Sequence, residues 1–168
     1  SFVDCRLFGN LERDLTLAVH DLPACQAAVI NTGSLSLGQT AAVLDILKRS
    51  FPSMRTVLCG QYPSQFPNQV AEMPRVDYAL AGDPEPILRN LLDYLDVEAR
   101  LWRTPGLIIG SSRTTEPYWL PDLKGLSLPD WQGVFWGGYA PGPDRSCRIL
   151  ARLSRGHTHL PADRGFGD

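Results

Sequence analysis

Three short stretches hold the residues of this chain best suited to chemistry: "NTGSLSLG" (31–38), "GQYPSQFP" (60–67) and "AGDPEP" (81–86). Gly33, Gly60 and Gly82 let backbone come close to a bound molecule, and Ser34, Ser36 and Ser64 supply hydroxyl donors. Each stretch follows a strand-like run. In an open parallel sheet the positions after the strands gather at one edge, where ligands bind. One loop of this kind is an ordinary turn, but three in succession describe a ligand-binding edge. The chemistry expected there is recognition by backbone amides and hydroxyls. There is no Gly-Lys-Ser/Thr of a phosphate loop and no Gly-x-Gly-x-x-Gly of a dinucleotide fold. Nor can the acidic cluster and later lysine of a phosphoacceptor domain be assembled. No residue is expected to be catalytic and none to ligate a metal.

The remaining reactive side chains carry less. Cys5, Cys25, Cys59 and Cys147 are scattered without a Cys-x-x-Cys pair, which speaks for reduced thiols rather than a zinc ribbon or a disulfide scaffold. His157, His159 and Asp163 have zinc-compatible types, but an exposed terminus is the expected reading. His20 falls in a helical stretch and is expected at the surface or in packing.

The elements that would position the loops follow from periodicity. "FVDC" (2–5) is a short strand candidate. In "NLERDLTLAVHDL" (10–22), Leu11, Leu15, Ala18, Val19 and Leu22 recur at helical spacing behind Asn10 as N-cap. "AAVIN" (27–31) reads as a buried strand, "TAAVLDILKRS" (40–50) as a helix with Ala41, Leu44 and Leu47 in one stripe, and "TVLCG" (56–60) and "DYALAG" (77–82) as strands. "EPILRNLLDYLD" (85–96) predicts a helix with Ile87, Leu88, Leu91, Leu92 and Leu95 on one side. The alternation predicts an α/β fold: a Rossmann-like, flavodoxin-like parallel sheet with helices on both faces. "PGLIIGSSRTTEPYW" (105–119) suggests a hairpin or edge extension. Residues 120–144 read as an irregular Pro-, Gly- and Trp-rich connection, and "CRILARL" (147–153) as a final strand.

The 168 residues suffice for one domain with a tail, and 43% hydrophobic with 20% charged content is ordinary for a soluble protein. A formal net charge of -2 offers no pull toward nucleic acid or an anionic membrane. No apolar run reaches membrane-span length and no leader pattern opens the chain, so a cytoplasmic location is expected. The lack of an initial Met is what a processed or partial chain would show.

The segment "VLCGQYPSQFPNQVAEMPRVDYALAGDPEPILRNLLDYL" (57–95) resembles the second half of the cobalamin (B12)-binding domain of cobalamin-dependent radical S-adenosylmethionine (radical SAM) proteins. That family typically shows a Gly-Gly pair with a following Pro, then a "VDYVV-x-GE-x-E" motif and a helix. Here Cys59 replaces the first Gly, Gly60, Pro63 and Pro67 remain, and "VDYALAGDPE" (76–85) is the closest match. "LPDLKGLSLPDW" (120–131) is similar to the family's connector, and "ILARLSRG" (149–156) to the first strand of its barrel. The order and spacing of these motifs carry more weight than any one of them.

The resemblance implies residues 1–105 as a cobalamin-binding-like domain, 106–146 as connector, and 147–168 as the remnant of a barrel start. It implies a corrinoid held by Thr32, Gly33, Ser34, Leu35, Ser36, Gly60, Gln61, Tyr62, Pro63, Ser64, Gly82, Asp83 and Glu85, with Leu35, Tyr62 and Phe66 flattened against the ring. Two departures limit it. After Ser-Arg-Gly the family places Cys-x-x-x-Cys-x-x-Cys, but here the aligned positions are His157, Pro161 and Arg164. Proline and arginine do not ligate iron, so no iron–sulfur cluster and no S-adenosylmethionine chemistry are expected. The family's first, central strand also has no counterpart ahead of "DCRLFG" (4–9); this stretch matches the Asp-x-His-x-x-Gly of some cobalamin proteins only by chance, with Arg6 in place of His, and no lower axial histidine is expected. A second chain supplying the missing strand or barrel is an expected partner, and a non-catalytic scaffold is the rival reading.

Overall fold

The computed structural model describes residues 9–22, 25–33, 37–113, 116–122 and 126. The expected strands at 2–5 and 147–153, most of the irregular connection at 120–144, and the histidines and aspartate of the tail lie outside them.

Helix α1 (Leu11–His20) starts where the sequence places its cap. The Asn10 side chain accepts from the Arg13 N–H at 2.9 Å, and the Asp14 carboxylate accepts in return from the Asn10 and Gly9 N–H groups at 3.0 and 3.1 Å. Donors left unpaired at a helix start are thereby satisfied. The Asn10 amide first, then Arg13, hold the Asp14 carboxyl below its ordinary value. Strand β1 (Ala27–Asn31) matches its predicted span. Helix α2 (Leu37–Ser50), strand β2 (Arg55–Cys59), the short helices α3 (Gln61–Gln65) and α4 (Pro67–Ala71), and strand β3 (Tyr78–Leu80) follow. Helix α5 (Pro84–Asp93), the single turn α6 (Glu98–Leu101), and strands β4 (Leu107–Ile109) and β5 (Ser112–Arg113) complete the described elements.

Among the described residues the sheet has five strands in the order β1-β2-β3-β4-β5. β1–β2 and β2–β3 are parallel, as the alternation predicts. β4 is antiparallel to β3, with Ala79 opposite Ile108, so the sheet is mixed rather than parallel throughout. The reason is local: a parallel return needs a full crossover to the far end of the sheet. Here α5 and α6 lead straight into Gly106, whose carbonyl accepts from the Ala81 N–H at the carboxyl end of β3. β4 and β5 then form the hairpin expected from residues 105–119, with Ile109 opposite Ser112.

Helices cover both faces. Leu44 of α2, Tyr62 of α3 and Val70 of α4 pack with Leu58, Ala79 and Ile108 of the sheet. Ile87 and Leu91 of α5 pack with Val57, Leu80, Leu101 and Leu107 on the other side. α1 lies beside α2 through Leu15, Val19, Ile46 and Leu47, over Ala28 and Ile30 of β1. β1 departs from the buried strand predicted. It is outermost among the described strands, and Val29 on the face away from α1 and α2 is 42% exposed. Two helix stripes also differ at one position each. Ala41 is exposed while Thr40 is buried, and Leu92 is exposed because α5 buries only Ile87 and Leu91.

At the amino ends of the strands, Lys48 donates to the Asp77 carboxylate at 2.5 Å and to the Met54 carbonyl at 2.9 Å. The same Asp77 oxygen accepts from the Thr56 N–H at 2.7 Å. Thr56 Oγ1 donates to the carbonyl of Arg75, a residue in the left-handed conformation (φ 68°), which fixes the turn into β3.

Candidate functional site

The parallel order of β1, β2 and β3 brings the three predicted loops to one edge and joins them by hydrogen bonds. In the first loop the Thr32 N–H donates to the Cys59 carbonyl at 2.9 Å, and the Thr32 carbonyl accepts from the Tyr62 N–H at 3.2 Å. The buried hydroxyls of Thr32 and Thr40 meet at 2.7 Å. Ser34, Leu35 and Ser36 lie outside the described residues. Gly33 stands beside Gln61, whose Oε1 is 3.8 Å from where a Gly33 Cβ would be. Both are accessible, Gly33 partly and Gln61 openly.

The second and third loops share one strut. Ser64 Oγ donates to the Gly60 carbonyl and accepts from the Gly82 N–H, both at 2.9 Å. A hydroxyl has one proton to give, so Ser64 sets the spacing of the two loops and has no proton left for a ligand. Tyr62 and Pro63 are buried in α3. The Tyr62 hydroxyl donates to Gln69 Oε1 at 2.7 Å, and its ring packs 5.1 Å from that of Phe66, centre to centre. Its ring belongs to the core below the loops rather than to their outer surface. Phe66 is 38% exposed.

The two glycines of this edge with positive φ come close to backbone of the chain itself. Gly60 (φ 101°) faces Asn31 Oδ1 and Thr32, whose carbonyl oxygen would lie 2.9 Å from an added Cβ. Gly82 (φ 105°) faces Tyr118, whose backbone carbon and nitrogen would lie 2.6 and 2.7 Å from an added Cβ. Tyr118 sits there as a parallel bridge to Gly82. Its N–H donates to the Ala81 carbonyl at 2.9 Å, and its carbonyl accepts from the Asp83 N–H at 2.8 Å. Asp83 is 5% exposed as a residue, and its carboxylate accepts from the Leu120 N–H at 2.8 Å. Glu85 is exposed in the first turn of α5. Asn31, Tyr118 and Leu120 were not among the predicted site residues. A glycine announces a close approach, but the sequence does not say what approaches it.

Cys59 ends β2 directly below this edge. Burial, with the Glu85 carboxylate adding to it, pushes its thiol up to about 11. Thiolate is the reactive form. Labelling the folded protein with a maleimide at pH 8 and mapping by peptide mass spectrometry is therefore expected to modify partly exposed Cys25 well before Cys59. Equal rates would show that the edge opens to reagent.

Among the described residues no three His, Cys, Asp or Glu side chains group as a metal-ligand set. His20 is at the surface, its side chain 80% exposed and 3.9 Å from Asp21. Among the described residues no helix is long and apolar enough to cross a membrane. No family model matches the chain, and no curated protein is significantly similar to it. What the geometry defines is an open α/β sheet whose strand-end loops are tied to one another at the carboxyl edge.

Proposed function

We propose that this chain is a cobalamin-binding domain of the cobalamin-dependent radical S-adenosylmethionine type, catalytically incomplete by itself. The observation that supports this best is the direct bonding of three successive strand-end loops at one edge, through Thr32, Gly60, Ser64 and Gly82. The motif order in 57–95 supplies the ligand class. On this reading β1, β2 and β3 are the parallel core of a Rossmann-like sheet, with β4 and β5 appended, in a cytoplasmic protein. At the first two loops the accessible Gly33 and Gln61 are the residues that suit a corrinoid, although Asn31 and Thr32 fill the Gly60 cradle. The third loop suits it less well, because Tyr118 fills the Gly82 cradle. Bound cobalamin would supply the methyl-transfer or radical chemistry of an intact relative. The residues here bind and orient it. His157, Pro161 and Arg164 at the cluster positions leave S-adenosylmethionine cleavage to another chain or segment.

The test is a visible spectrum after incubation with hydroxocobalamin and desalting. Retention of the red chromophore at close to one equivalent is expected. A colourless, folded protein would overturn the reading. It would favour a second one, a scaffold that keeps the fold to bind a partner chain, which the self-filled cradles of Gly60 and Gly82 support.

A further inference from the structure

We propose that residues 117–120 form a strap that competes with ligand for the loop after β3, so that the binding edge is held partly closed by the chain itself. The inference rests on the corrinoid reading for its ligand and on the loop's own bonds for its geometry. At this loop the Gly82 N–H is taken by Ser64, the Asp83 N–H by the Tyr118 carbonyl, the Ala81 carbonyl by the Tyr118 N–H, and an Asp83 carboxylate oxygen by the Leu120 N–H. A corrinoid side chain reaching these groups meets the strap first. The seat is shaped for backbone. Gly82 (φ 105°) and Gly106 (φ 74°) flank Tyr118, and a Cβ on Gly106 would come within 3.0 Å of the Tyr118 Cβ. Gly82 thus makes room for the Tyr118 backbone and Gly106 for its Cβ, and the Asp83–Leu120 bond latches the strap two residues on.

The latch can be removed without touching the loop. Leu120→Pro removes the N–H that Asp83 accepts and also fixes φ at 120 and restricts Trp119, whereas Leu120→Ala keeps the N–H while shortening the side chain; Tyr118→Pro removes the other strap N–H. Two readouts are taken on each folded variant: amide hydrogen exchange at Asp83 by NMR, and hydroxocobalamin affinity by titration. Faster Asp83 exchange with affinity raised about tenfold in Leu120→Pro, the effect of one charge-assisted hydrogen bond, is the expected result. Leu120→Ala is expected to match the parent chain. Faster exchange with unchanged or weaker binding would overturn competition while leaving the corrinoid reading standing. Slow Asp83 exchange in both proline variants would overturn the latch. Absence of binding in every variant, with exchange altered as expected, would overturn the ligand and the competition with it.

Discussion

Among the described glycines, Gly82→Ala is expected to be the most damaging alanine substitution, costing about 3 kcal/mol of stability. Two effects add. At φ 105° an alanine is strained whatever surrounds it. The new methyl also points into the Tyr118 backbone, at 2.6 and 2.7 Å from its carbon and nitrogen. Backbone cannot swing aside as a side chain would, so Tyr118 must leave, and the bonds to Ala81 and Asp83 leave with it. Gly38→Ala is the internal contrast. It lies in α2 with nothing within 4 Å of the added Cβ, and gains up to about 1 kcal/mol in helix propensity. Urea unfolding of the two variants measures both. A Gly82→Ala protein as stable as the parent would mean that the bridge to Tyr118 does not form.

The second large effect is at the opposite end of the strands. Asp77→Asn is expected to cost about 2 kcal/mol, because it leaves Lys48 without its anion and weakens the acceptor of the Thr56 N–H. The figure sits below that for a fully buried pair because the two side chains are 19% and 28% exposed and solvent screens part of the attraction. In Lys48→Met combined with Asp77→Asn, the loss is expected to fall short of the sum of the single losses. The pair also sets a pH dependence. Burial pushes the Asp77 carboxyl up, but Lys48 and the Thr56 N–H outweigh it and hold it below its ordinary value. A depressed carboxyl contributes its full stability above the unfolded-state value, near pH 4, and loses it as pH falls through the folded-state value. Unfolding curves between neutral pH and pH 3 should therefore be flatter on the acid side for Asp77→Asn than for the parent. Parallel acid limbs would remove Asp77 from the account.

Sequence periodicity located the repeating elements because burial and hydrogen bonding repeat with them. Asn10 as cap, the span of β1, the buried pairs Leu15 with Val19 and Ile87 with Leu91, and the three loops at one edge were all legible in this way. The direction of β4 was not. A three-residue apolar run such as "LII" reads the same in either sense, and only the short path from α6 through Gly106 decides it. The exposure of Ala41 and Leu92 was hidden for a similar reason, since apolar spacing marks a stripe without its edges. At the edge itself the glycines were legible as sites of close approach. That Gly60 faces Asn31 and Gly82 faces Tyr118 depends on contacts distant in sequence, which no local pattern encodes.

The Tyr118 seat also orders events in time. β4 and β5 meet across the two-residue turn of Gly110 and Ser111, a hairpin of the kind that closes in about 1–10 μs. The pairings of β1 with β2 and of β2 with β3 each wait for an intervening helical segment to close a longer loop, which is slower. The seat of Tyr118 is built from Gly82, two residues beyond β3, and from Gly106 docked beside Ala81. The arrival of Tyr118 is therefore expected late in folding, and hydrogen exchange at the Tyr118 and Asp83 amides is expected to be faster than at the β2–β3 pairing; equal protection would remove that order.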